Sequence, residues 1–123
     1  YLSLTTDTLG SRAVAVGQGA LFSQNFTTAT NSYNVGIGYE TGGAITTGTL
    51  NTLIGGAAGD AITSAERNVA VGYNALTTNT LGNRTVAIGQ GALADRSRQR
   101  RRWSSHHWHT EHPYWQKCRR CLN

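Results

Sequence analysis

Five stretches of this chain repeat one motif around a glycine: "AVAVGQGAL" (13–21), "NVGIGYETG" (34–42), "NTLIGGAAG" (51–59), "NVAVGYNAL" (68–76) and "TVAIGQGAL" (85–93). The central glycines are Gly17, Gly38, Gly55, Gly72 and Gly89, so the last three intervals are identical and the first is longer by four. A unit this short cannot close a core on its own. Stacked on its neighbours it can, and every column of the repeat then becomes a ladder of like residues. The insertion in the first interval is placed near "FSQN" (22–25).

Each column carries a physical expectation. One residue before the glycine stand Val16, Ile37, Ile54, Val71 and Ile88; three before stand Val14, Val35, Thr52, Val69 and Val86. β-Branched residues at period two mark a short strand with one buried face. Between them lie Ala15, Gly36, Leu53, Ala70 and Ala87, mostly small, so the opposite face is expected to meet something that approaches closely. The glycine is expected to end the strand at a bend with positive φ or at a tight contact. Ala20-Leu21, Ala75-Leu76 and Ala92-Leu93 suggest a second short strand. Gly10, Gly48 and Gly82 recur seven before the core glycine, and Thr8, Thr46, Thr63 and Thr80 nine before it, in linkers of turn-forming residues. The segment 51–59 departs most from the pattern and leaves the packing of its coil open.

The pattern predicts an all-β, parallel β-roll or β-solenoid over 1–95, one coil per repeat. Coils about 4.8 Å apart would span roughly 24 Å. Helix is disfavoured by the abundance of Thr, Asn and Gly and by the lack of a helical stripe. The few large apolar residues give a single roll little core, which is a motive for three copies to associate, with the alanine column allowing close approach.

"NVAVGYNALTTNTLGN" (68–83) resembles the Gly-rich repeats of phage tail fibres. Similar "VAIG" repeats occur in the heads of trimeric autotransporter adhesins, whose units are usually shorter. The resemblance covers about residues 9–93. It implies a trimeric, parallel, left-handed β-roll forming part of a rod, located in a virion tail fibre or on a bacterial cell surface.

The C-terminal segment, 96–123, is a different chain in composition. Residues 1–95 hold all fifteen glycines and a net charge of −2, whereas 96–123 carry +7 with all four His, all three Trp and both Cys. The basic pI therefore belongs to the tail and does not mark the whole chain as a nucleic-acid binder. His106, His107, His109, His112, Cys118 and Cys121 are zinc-ligand types, and His106, His109, Cys118 and Cys121 form the zinc alternative. Histidines before cysteines, a single C-x-x-C and no accompanying apolar core argue against a standard finger. "RSRQRRRW" (96–103) suits phosphates and stacking, yet such runs are usually solvated.

A third reading explains the change of composition in one step: the tail is a repeat translated out of frame. Read one base forward, every Trp codon becomes Gly, and 103–123 can spell "GAVTTGTLNTLIGKSAGDALT". At an offset of 60, Trp103, Trp108 and Trp115 fall on Gly43, Gly48 and Gly55, and 17 of 21 positions can match residues 43–63. As written, the tail is expected to be disordered or loosely docked.

Other chemistry is sparse. "GQG" and "GIG" lack the helix or Lys-Ser/Thr of a phosphate loop. Residues 1–95 contain no His or Cys, and their acids show no fixed register, so no catalytic site, cofactor or metal is expected there. Arg12, Arg67 and Arg84 share a column and read as a solvated or salt-bridged stripe, Glu66 being near, rather than an anion- or glycan-contacting surface. No run reaches membrane-spanning length, and no signal peptide is evident. Starting at Tyr1, the chain reads as part of something longer. The expected function is a non-enzymatic structural or adhesive rod segment of a homotrimeric surface fibre, with a host glycan or receptor as possible partner and no nucleic acid. The alternative is a monomeric β-solenoid binding glycan or ice through an exposed Thr-rich face.

Overall fold

The computed structural model describes residues 2–78 and 81–94. It is an all-β solenoid of about five coils, and its strands pair in parallel. The main sheet has five short strands in sequence order: β2 (Val14–Val16), β4 (Val35–Ile37), β5 (Thr52–Ile54), β6 (Val69–Val71) and β7 (Val86–Ile88). A short pair, β1 (Gly10–Ser11) and β3 (Thr30–Asn31), lies beside it. No helix occurs among the described residues.

Sequence columns are spatial ladders. Val14, Val35, Thr52, Val69 and Val86 are partners in register, as are Ala15, Gly36, Leu53, Ala70 and Ala87. The backbone bonds repeat as faithfully: the core-glycine N–H of each coil donates to the preceding coil, as from Gly55 to Ile37 O and from Gly72 to Ile54 O, both 2.8 Å. The 51–59 segment keeps this register on both sides.

Backbone conformation repeats too. The core glycines have φ between 117° and 137°, which side chains on L-residues rarely allow. Three further positions per coil are left-handed and tolerate other residues. They lie five before the glycine (Arg12, Tyr33, Leu50, Arg67, Arg84), two after it (Glu40, Ala57, Asn74) and four after it (Leu21, Leu76, Leu93). Leu2 and Leu4, the remaining positive-φ non-glycines, occupy the last two columns of a coil preceding the first. The bends are thus fixed by backbone geometry, and only the widest φ demands glycine.

Burial reverses one expectation. The small column faces the inside of the same roll, with Leu53 and Ala70 fully buried and Ala87 nearly so. The β-branched columns on either side point outward; Val16 is 55% and Ile88 69% exposed. The alanines therefore cannot bring three rolls together. The interior is narrow, and one side chain from the strand shares it with one from each bend, so the branched rows have no room there.

In four of the five coils the strand and the bend fill the core with complementary sizes; in the other both give glycine, Gly36 and Gly42, and Leu21 and Leu53 of the neighbouring coils take the space. Where the strand gives alanine the bend gives leucine (Ala15 with Leu21, Ala70 with Leu76, Ala87 with Leu93). Where the strand gives Leu53 the bend gives Gly59, and a Cβ on Gly59 would sit 2.8 Å from Leu53 Cδ2. Gly42, in the coil before, likewise leaves space for Leu53. Ile45 and Ile62 complete those two coils. This resolves the divergent coil: it repacks without changing register. Leu53→Ala is expected to lose about 2–5 kcal/mol of unfolding free energy in urea titration, because glycine neighbours cannot refill the void.

One smaller expectation is corrected and another made more precise. The Ala-Leu pairs form turns instead of a second strand: Ala75 N–H donates to Gly72 O at 3.2 Å, and Leu76 N–H donates to Ala92 O of the next coil at 2.8 Å. The extra residues come after "FSQN". Gln24 bonds Asp7 at a separation of 17, Gly10 pairs with Thr30 at 20 and Val14 with Val35 at 21. Three of the four are therefore inserted between Asn25 and Thr30, and one between Asn31 and Val35.

Candidate functional site

Side chains with functional potential lie on three parts of the coil. The first is the outward face of the main sheet. Val14, Val16, Ile37, Ile54, Val86 and Ile88 are exposed there, and none of its five strands carries a charged residue. Two adjoining files of β-branched side chains, all Val or Ile except Thr52, run the length of the stack, an uncharged and mostly apolar strip of the kind that marks an interaction surface.

The second is the outer bend holding the arginine column. Arg67 Nη1 meets Glu66 Oε2 at 3.1 Å, a solvent-exposed pair, as the sequence suggested. Arg12 bonds the Tyr33 hydroxyl and lies over its ring, 5.5 Å from the centroid. The threonine file is nearby but is occupied locally: Thr46 Oγ1 donates to Thr63 O at 3.4 Å and Thr8 Oγ1 to Asn25 Oδ1 at 3.3 Å. Thr80 is outside the described residues.

The third is a notch of about 420 Å³ lined by Leu2, Gln18, Gly19, Phe22, Glu40, Gly43 and Asp60. The sequence shows its acids as scattered; stacking brings Glu40 and Asp60 into one cavity. One Asp60 carboxylate oxygen is buried without a hydrogen-bond partner. Burial pushes the Asp60 carboxyl above the ordinary carboxylate range, with Glu40's charge adding to the rise and the Ala61 and Asp60 backbone amides opposing it. Glu40 also raises the Tyr39 phenol, by a hydrogen bond and by its charge.

Inside the roll runs a polar ladder that sequence columns contain but composition does not reveal. Four before the core glycine stand Asn34, Asn51 and Asn68, all fully buried. Asn51 N–H donates to Asn34 Oδ1 at 2.9 Å and Asn68 N–H to Asn51 Oδ1 at 3.0 Å. At one end Asn34 Nδ2 donates to Gln24 Oε1 at 2.7 Å, and Gln24 Nε2 donates to Asp7 Oδ2 at 2.5 Å. At the other end Thr85 N–H donates to Asn68 Oδ1 at 2.9 Å. Its role is structural: it satisfies backbone groups that no strand pairs.

His106, His109, Cys118 and Cys121 lie outside the described residues. So does the whole tail read as an out-of-frame repeat. Among the described residues no group of three His, Cys, Asp or Glu side chains is placed to hold a metal ion, and no helix is long and apolar enough to cross a membrane. No protein-family model, curated protein or solved structure matches this chain.

Proposed function

We propose that this chain is a structural rod segment of a homotrimeric surface fibre, of the phage tail-fibre or adhesin-head kind, working without catalysis in a virion or at a bacterial surface. The observation that carries this reading is the uncharged Val/Ile strip on the outside of the sheet. Among the described residues the thin roll has five large apolar side chains fully buried (Leu21, Ile45, Leu53, Ile62 and Leu76). Against that small interior, an equally long apolar strip left in water is a second core waiting for identical copies. Three rolls meeting along such strips would form a straight, stiff shaft, with the bends and their polar residues outside for contact with a host surface.

The test is the solution mass of the whole chain by light scattering after size exclusion. A trimer is expected, and Ile54→Lys, in the middle of the strip, is expected to reduce it to a monomer because a charge would be buried three times over. A monomeric parent that keeps its β-sheet circular dichroism would sink the reading. Ice-growth inhibition by that monomer would favour the solenoid alternative instead.

A further inference from the structure

We infer that the notch between Phe22 and Asp60 is a binding site for one saccharide ring. Two missing side chains create it. Five after the core glycine, successive coils place Phe22, Gly43 and Asp60; two after it they place Leu2, Gly19 and Glu40. Gly43 thus opens a gap one coil deep between an aromatic ring and a carboxylate. Flanking residues in one column are two coil spacings apart, roughly 9.6 Å. Gly19 opens the adjoining gap between Leu2 and Glu40. Gly43 does not have positive φ, and a Cβ there would meet Glu40 O at 3.3 Å, a tight approach that a shift of a few tenths of an ångström relieves, so the backbone's demand for glycine is weaker here than at the core glycines.

The lining selects the ligand class. Phe22 is 42% exposed and offers a ring to an apolar face. Glu40 and Asp60 are acceptors, and Gln18 supplies an amide that both donates and accepts. Two carboxylates lining one notch favour a ligand rich in donors. A pyranose has that combination: C–H groups on one face and hydroxyl donors around the edge. The volume lies in the range of small-molecule sites. A lone ammonium ion would answer the carboxylates but leave Phe22 and Leu2 unused.

This deepens the adhesive part of the proposed function, yet it does not require the trimer, because the notch lies past the core glycines and away from the Val/Ile strip. The experiment is saturation-transfer NMR on the whole chain with a panel of methyl glycosides (gluco, galacto, manno and N-acetylamino forms), with methylammonium as a cationic control. At least one glycoside is expected to show transfer to its ring protons. The signal should fall at least fivefold in Phe22→Ala, which changes an exposed residue, and vanish in Gly43→Leu, which fills the notch; circular dichroism verifies that both variants remain folded. Should folding fail in Gly43→Leu, Glu40→Gln with Asp60→Asn replaces it, with the same loss expected. No transfer from any glycoside, transfer unchanged in the folded variants, or binding of methylammonium alone would overturn the inference. None of these outcomes touches the rod reading, which the solution mass decides separately.

Discussion

Gly55→Ala is expected to destabilise the protein more than Gly89→Ala does, by an extra overpacking cost of about 1–3 kcal/mol. Both glycines share the same backbone requirement, φ of 126° and 117°. Holding a non-glycine there costs about 1–3 kcal/mol, which is the whole loss expected at Gly89. Their surroundings differ. A Cβ on Gly55 would lie 2.6 Å from Gly72 O of the next coil, whereas among the described residues nothing stands within 4 Å of one on Gly89, in the last described coil. Gly55→Ala must therefore also push two coils apart, and the overpacking cost adds to the backbone cost. Urea unfolding at one fixed protein concentration, followed by far-ultraviolet circular dichroism, measures both. Equal losses at the two sites would show that contact between stacked glycines carries no energy. No loss at either would remove the backbone argument itself.

The second large effect concerns the asparagine ladder. Asn51→Leu is expected to strand three buried polar groups, each at a cost of about 1–3 kcal/mol. The leucine leaves Asn68 N–H, Asn68 Nδ2 and Ala65 O without the partners they now have at 3.0, 3.1 and 2.9 Å, in a buried setting. Asn51→Asp separates shape from chemistry. Its oxygens can still accept from Asn68, but an ionised carboxylate cannot donate to Ala65 O and would be buried without a countercharge, so its folded pKa is expected to rise. The sign follows. Below the unfolded carboxylate pKa of about 3.9 both states are protonated and the variant is at its best. As pH rises beyond that value the unfolded state ionises first and stability falls until the folded pKa is passed. A variant whose stability, relative to the parent, is flat or rising from about pH 4 to 7 would contradict the buried ladder.

The candidate sites were legible to different degrees. The Val/Ile files are visible as columns in the sequence, but as the expected buried face. The notch is invisible residue by residue: Glu40 and Asp60 are far apart along the chain, and only the coil period turns that separation into neighbouring coils. Glycines usually read as turns, whereas Gly19 and Gly43 matter as gaps between side chains above and below them. The asparagine column could have been found by writing out the position four before each glycine, where Asn recurs in three consecutive coils.

Period, parallel register and the need for glycine at the tightest bend follow from the order of residues alone, because they depend on spacing and on a backbone conformation that only glycine adopts freely. The same order indicates a strand with two chemically different faces at each repeat. Which face lies inside was settled by packing. Alternation distinguishes two faces without naming the inner one, and the choice rests on volume. One coil encloses room for Ala70 with Leu76, or Leu53 with Gly59, while Val69 and Val71 must turn outward.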